Sequence, residues 1–256
     1  MRSWATLVCV AVLLSGATAA ADEILVAAAS DLQYVLPEVA ARFEKETGHK
    51  VRITFGSSGN FFSQITNGAP FDVFLSADAE YPRKLIAAGS ADGDSLAAYG
   101  LGRIVLWAPQ SSSLDLNKGL AVLLSSGVKK VALANPQHAP YGRAAVAALR
   151  HEGLYEQVRG KFVLGENISQ TMHFIESGNA DAGFVALSLA TAPPVQGRGR
   201  YWLVPQDFYP AIEQAAVVVS HSSRKKAAGA FLAFLRKPEI VELMRRYGFE
   251  PPGNKK

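Results

Sequence analysis

Beyond residue 21 this 256-residue chain has no cysteine, its single one being Cys9. Disulfides, thiolate nucleophiles and thiolate metal sites are thereby excluded from the rest of it. After the opening segment there is no apolar run of about 20 residues, the length a membrane-spanning helix needs. The five histidines, His49, His138, His151, His173 and His221, are dispersed and nowhere form a His-x-x-x-His pair. A Gly-Lys-Ser/Thr phosphate loop is also missing, which excludes that mode of nucleotide binding. Basic residues exceed acidic ones by only four, and the densest groups, Arg224-Lys225-Lys226 and Arg245-Arg246, fall on separate C-terminal helical patterns. Without a basic stripe interleaved with aromatics, nucleic acid is not an expected partner. No fixed-period repeat or low-complexity tract is present.

The chain opens Met1-Arg2-Ser3-Trp4, is apolar over 5–14 and ends this section in Ser15-Gly16-Ala17-Thr18-Ala19-Ala20-Ala21. A charged start, a short apolar core and small residues at the end describe a secretory signal peptide over 1–21. Cys9 lies inside that core and not at its cleavage end, so a soluble exported protein is expected and not a lipid-anchored one. Loss of Arg2 with the signal leaves a formal charge of +3 on about 235 residues. That length suits one large domain or two lobes of roughly 100 residues each.

From residue 23 the pattern alternates strand and helix. Glu23-Ile24-Leu25-Val26-Ala27-Ala28-Ala29 has no polar alternation and reads as a central parallel strand covered on both faces. Leu32, Val35, Leu36, Val39 and Phe43 follow at helical spacing up to Gly48. The unit repeats with Val51-Arg52-Ile53-Thr54-Phe55, the turn Gly56-Ser57-Ser58-Gly59-Asn60 and a helix over 61–67. Ser30 and Ser58 thus occupy equivalent strand-to-helix junctions and point into one crevice at the carboxyl ends of the strands. A third strand spans 71–76; 91–102 is small and polar and reads as a connection; 103–108 is a strand at which the chain crosses to a second lobe. There the pattern resumes: a strand over 128–133, the stiff loop Asn135-Pro136-Gln137-His138-Ala139-Pro140-Tyr141-Gly142, a helix over 143–150, and Gly165-Glu166-Asn167-Ile168-Ser169 opening another helix. Strands over 201–204 and 214–219 return the chain, and two helices end it. Alternating units with two crossings predict an α/β fold of two lobes joined by extended strands.

Small hydroxyl and glycine residues at these turns leave helix-start N–H groups open, and the helix dipole favours negative charge there. The plainer reading of Ser58 is a helix cap; Asp31 likewise would cap the helix beginning at Leu32 while offering its amide to the crevice. Asp72 and Asp78 read as residues pinning a strand start and a helix start and not as a metal pair. Gly56 to Asn60 resembles a serine-nucleophile elbow, but its fifth position is Asn60 and not glycine. A crevice of hydroxyls, amides and one tyrosine, with Arg143 the nearest cation, suits a proton-free tetrahedral oxyanion, which carries only acceptors. Asp31 keeps phosphate open, because a carboxylate suits an anion that still bears a proton. An exported hydrolase built on Ser58 is a further alternative and requires a histidine beside it.

Six segments, Ala27-Ala28-Ala29-Ser30, Gly56-Ser57-Ser58-Gly59-Asn60, Gly68-Ala69-Pro70-Phe71-Asp72-Val73-Phe74-Leu75-Ser76-Ala77-Asp78, Asn135-Pro136 to Tyr141-Gly142, Gly165-Glu166-Asn167-Ile168 and Tyr247-Gly248-Phe249, occur in this order. Through them the chain resembles the periplasmic molybdate-binding proteins of ABC importers over essentially all of its mature length. The resemblance implies a class II binding-protein fold, with a mixed, mostly parallel sheet flanked by helices in each lobe. The lobes would be 22–102 with 212–256, and 103–211, joined by hinge strands. It implies a monomeric periplasmic carrier, not an enzyme, without cofactor, that closes on molybdate or tungstate and passes it to a membrane permease. Carried over residue by residue, Ser30 and Ser58 would donate through hydroxyl and amide and Asp31 through its amide. Tyr141 would donate through amide or hydroxyl, and Ile168 through its amide. No side chain would contact the metal directly. Some members carry a tyrosine donor where this chain has Ala186, so Tyr141 is expected to replace it. The same fold also carries phosphate, sulfate and ferric-ion binders, the last usually through a tyrosine pair that this chain lacks. Ser58→Ala is expected to weaken oxyanion binding with little loss of stability.

Overall fold

The computed structural model describes residues 21–252. The expected signal peptide therefore lies, apart from Ala21, outside the described residues. In chain order the strands are β1 (Glu23–Ala29), β2 (Lys50–Gly56), β3 (Val73–Ser76), β4 (Ala97–Gly102), β5 (Ile104–Pro109), β6 (Val131–Ala134), β7 (Phe162–Gly165), β8 (Ala182–Ala186), β9 (Gly199–Leu203) and β10 (Ile212–Val218). The α-helices are α1 (Val35–Thr47), α2 (Ser58–Thr66), α3 (Glu80–Ala87), α4 (Pro140–His151), α5 (Tyr155–Val158), α6 (Ile168–Glu176), α7 (Leu187–Ala190), α8 (Lys225–Leu235) and α9 (Pro238–Arg246). None of the described helices is long and apolar enough to cross a membrane.

Two five-stranded sheets organise these elements, in the orders β2-β1-β3-β10-β4 and β7-β6-β8-β5-β9. In each, three strands run parallel, and a longer-range strand pairs antiparallel to the third of them. The plan is the same in both halves, and the α/β two-lobed expectation is met. Only Arg103 separates β4 of the first sheet from β5 of the second, and the return runs from Leu203 to Ile212. Arg103 is fastened where the two connections meet: its side chain donates to the Tyr209 hydroxyl (3.2 Å) and pairs with Glu250 (2.5 Å). The segment over 91–102, read from sequence as a connection, contains β4. Its alanines and glycines carry little strand propensity, and its pairing with β10 decides its conformation.

The first sheet is apolar on both faces. Val73 and Leu75 of β3, with Ala216 and Val218 of β10, pack on the side of α1, α8 and α9; Phe74 and Val217 pack on the side of α2 and α3. Period-two alternation between two buried faces explains why these strands read as unbroken hydrophobic runs. Phe43 of α1 meets Phe231 and Phe234 of α8 edge-on at 5.1 and 5.4 Å. Each such fully buried ring stabilises the fold by roughly 1.5–3 kcal/mol. The parallel strands β1, β2, β6 and β7 end at the level where helical or 3-10 turns begin, so their carboxyl ends set the position of four helix starts.

Asp72 fastens the first lobe from within. One carboxylate oxygen accepts from the Leu25 amide (2.7 Å) and the other from the Ser222 hydroxyl (2.7 Å), with Arg224 at 3.4 Å. This ties β1, the start of β3 and the loop before α8 together. Asp72→Ala strands a buried amide and hydroxyl and is expected to lower unfolding free energy by about 3 kcal/mol. Denaturant titration checks this; a loss below about 1 kcal/mol would show that the tie is not a stabilising one.

Candidate anion-binding site

A narrow cavity between the two sheets is lined by Ser30, Asp31, Ser58, Tyr141 and Ile168, together with Ser57, Pro140 and Asn167 among others. All five residues singled out from the sequence therefore meet there. What they present is decided by the hydrogen-bonding of each helix start. At α2, Ser57 is the cap and accepts from the Asn60 amide (3.4 Å), while the Gly59 amide donates across the crevice to the His138 carbonyl (2.9 Å). The first-turn amide left over is that of Ser58.

At α4, Pro140 has no N–H, and the amides of Gly142 and Arg143 both donate to the Ala139 carbonyl (3.0 and 3.1 Å). Tyr141 is left. At α6, the Asn167 side chain accepts from the Gln170 amide (3.0 Å), and Ser169 donates its amide to the Ser30 hydroxyl (3.3 Å). Ile168 is left. Three helices, one from the first half and two from the second, thus each keep one buried amide without an acceptor among the described residues. These amides border the same cavity, at the positive ends of the helix dipoles.

The side chains refine the sequence reading. Ser57, not Ser58, caps α2. The Ser58 hydroxyl accepts from the Ala77 amide (3.0 Å) and keeps its own proton to donate, on a residue with no exposed surface. The Ser30 hydroxyl bridges to the other half, donating to Asn167 Oδ1 (3.2 Å). Asp31 caps nothing: its short 3-10 turn has no side-chain cap, and its carboxylate accepts from the Tyr141 hydroxyl (2.9 Å) and the Gln214 amide (2.5 Å). Tyr141 is expected from sequence to use amide or hydroxyl. Its hydroxyl is committed to Asp31, so its amide is what faces the cavity. Ala186 closes β8 wholly buried and offers no donor side chain.

No cation enters the cavity. Arg143 turns outward onto Asp78 and donates to the Tyr81 hydroxyl (3.2 Å), so its charge is neutralised between the halves. Asp78 also accepts from the Glu80 amide at the start of α3 (2.6 Å), and with the ties already described for Asp72 each aspartate has a structural task. Among the described residues no cluster of histidine, cysteine or carboxylate groups could hold a metal ion. His138 Nδ1 lies 2.9 Å from the Ser57 hydroxyl, and no histidine pairs with Ser58, so the dyad that a hydrolase would need is not formed there.

Sequence reasoning missed Gln214, a residue with no exposed surface that sits where the pairing of β10 with β4 slips its register. The bulge turns its amide toward Asp31 and Tyr141. Gly102, opposite, makes the room: a Cβ there would collide with the Tyr141 hydroxyl and lie 2.8 Å from the Gln214 amide nitrogen. A lone amide entering an otherwise apolar returning strand was the one available signal.

Around the cavity the two halves form a polar seam. It contains Ser57 with His138, Asn60 with Glu166 (3.0 Å), Ser169 with Gln33, and the Ser188 hydroxyl on the Asp31 carbonyl (2.8 Å). Gly59 permits the closest approach, since a Cβ there would stand 2.7 Å from both the His138 carbonyl oxygen and the Tyr81 hydroxyl. Gly59→Ala is accordingly expected to hold the halves apart, giving a larger radius of gyration in X-ray scattering. Its thermal midpoint should be unchanged or higher, because alanine favours the helix by up to about 1 kcal/mol. An unaltered radius would show that this contact does not govern closure.

The fold is shared with known proteins. Residues 24–250 match the family model described as bacterial extracellular solute-binding protein. The molybdate-binding protein ModA of Rhodobacter capsulatus is 42% identical over 231 residues, covering 90% of this chain and 89% of the relative. That of Azotobacter vinelandii is 41% identical over 236 residues, covering 92% and 93%. The solved periplasmic molybdate-binding protein of Azotobacter vinelandii superposes with a TM-score of 0.85 at 35% identity, over 90% of this chain and all of that one (100%). Two sheets hinged at Arg103, a seam of helix starts and these relationships lead to one conclusion: the chain belongs to the bacterial extracellular solute-binding proteins.

Proposed function

We propose that this protein captures molybdate, and tungstate by the same chemistry, between its two lobes and delivers it to the permease of an ABC importer. The observation that carries the reading is the set of three unspent helix-start amides, those of Ser58, Tyr141 and Ile168, converging on one buried cavity with the Ser58 hydroxyl and no cation. A tetrahedral oxyanion that has lost its protons offers acceptors in every direction, which such a set of neutral donors can surround. The amide of Asp31 completes the candidate set from the first lobe, while the Ser30 hydroxyl, its proton given to Asn167 Oδ1, ties the lobes beside it. The similarity to proteins named as molybdate-binding supports the same ligand.

The mechanism follows from the distribution of donors. The lobes are 22–102 with 212–256, and 103–211, turning at Arg103 and over 204–211. Neither lobe alone supplies the cage, so the anion favours the closed arrangement through its differential affinity for it. Closure buries the charge where fixed dipoles replace water, and it forms the seam surface that a permease can distinguish from the open protein. Selection against sulfate arises from cage size, since donors spaced for a larger oxyanion leave a smaller one with long contacts. The protein acts as a soluble monomer in the periplasm and carries out no reaction.

Titration of the purified protein with molybdate, tungstate, sulfate and phosphate, followed by Trp107 and Trp202 fluorescence and by thermal midpoint, tests the proposal. Stabilisation by the first two ions is expected; stabilisation by phosphate or sulfate alone would overturn it in favour of another oxyanion. Ser58→Ala is expected to weaken molybdate binding by roughly 10- to 100-fold, the worth of one hydrogen bond to a charged group. Contrary to the expectation from sequence, it should also destabilise the free protein by about 1–2 kcal/mol, because the Ala77 amide loses its acceptor. Unchanged affinity would remove Ser58 from the cage.

A further inference from the structure

Behind the donor cage lies a buried carboxyl that the cage does not use. Asp31 is 1% exposed and belongs to the wall of the cavity. Both hydrogen bonds to its side chain from other residues, from Tyr141 in α4 and Gln214 in β10, fall on Oδ2. Its Oδ1, fully buried, has no hydrogen-bond partner, and neither has Gln214 Oε1. The Tyr99 phenol of β4, which donates to the Ser76 carbonyl (3.1 Å), is near enough to feel its charge, and the Ser188 hydroxyl of α7 donates to its main-chain carbonyl. None of these is cationic. A carboxylate here would sit half-solvated by neutral donors beside a site built for a second negative charge.

We infer that the site takes up its oxyanion together with one proton, which the Asp31 carboxyl accepts, so that the Asp31–Tyr141–Gln214 cluster ties affinity to pH. The inference rests on reading the cavity as a dianion site. Burial pushes the Asp31 carboxyl up to about 6, against the opposing pull of Gln214, Tyr141 and its own backbone amide. Tyr99 and Tyr141 are driven well above the ordinary phenol range, by burial first and the Asp31 charge second, and stay neutral throughout. Asp31 is thus the member of the cluster that titrates near neutrality.

A dianion beside it adds like-charge repulsion and raises the carboxyl further. The sign follows. Below the pH at which the carboxyl of the free, open protein ionises, it is neutral in free and bound protein alike, and affinity is level. Above that pH the free protein carries a carboxylate and the complex a carboxylic acid, so binding consumes a proton and affinity falls by up to roughly tenfold per pH unit.

Calorimetry of molybdate binding in two buffers of different ionisation enthalpy, between about pH 6 and about pH 8.5, measures the proton directly on the unaltered protein. Uptake rising toward one proton per anion is expected. Asp31→Asn keeps the shape and is neutral at every pH; it should remove both the uptake and the slope of affinity with pH. Molybdate binding by the unaltered protein with no net uptake, or the same pH slope in Asp31→Asn, overturns the inference and leaves the functional reading intact. Failure of the unaltered protein to bind molybdate at any pH overturns both.

Discussion

The first N–H groups of a helix have no partner within it, and the structure is arranged around where those groups point. Three helices of 9 to 12 residues begin at one buried place. At each start, caps, a proline or contacts across the seam satisfy or remove every first-turn donor except one. The remaining donors belong to different lobes, so a single acceptor can satisfy them together only when the lobes are closed on it. Each buried amide left without an acceptor costs about 1–3 kcal/mol, which makes the closed arrangement dependent on its ligand.

The sheets are what make this convergence possible. In both lobes helical turns follow the carboxyl ends of the parallel strands, at once after β1 and within a few residues after β2, β6 and β7. The hinge, by contrast, is confined to Arg103 and the segment after Leu203, tied by Tyr209 and Glu250. The seam combines paired donors and acceptors with a smaller apolar contact, in which Ala29, Ala77, Tyr34 and Tyr247 of the first lobe pack against the second lobe's core. Gly59 and Gly102 show how little space is spare: in each case one added carbon would strike a group from the opposite half or from the layer behind the cage.

Much of this was legible in the sequence, and for physical reasons. Unbroken apolar strands followed by small hydroxyl residues and helical periodicity located Ser30 and Ser58, because strand-to-helix turns of that chemistry are local, whereas Ile168 came only with the family resemblance. The prolines around Tyr141 marked its loop, but the helix read from 143 begins at Pro140, so Tyr141 belongs to its first turn. What depends on the third dimension was not legible. Ser57 and Ser58 are equivalent as letters, and only the backbone at the turn assigns the cap to Ser57. The carboxyl of Asp31 meets Gln214 across 183 positions of chain, and the partner lies on a strand whose register slip no pattern announces. β4 was hidden because its small residues are held in the sheet by β10 and not by their own preference.

The claim that unspent amides of both lobes enclose one oxyanion is tested most directly by crystallising the protein with tungstate and locating the metal by anomalous scattering. The account predicts a single peak in the cavity, with oxygens within hydrogen-bond reach of the Ser58, Tyr141 and Ile168 amides and no lysine or arginine among its contacts. A peak held by cationic side chains, or one lying on a single lobe away from these three amides, would contradict it.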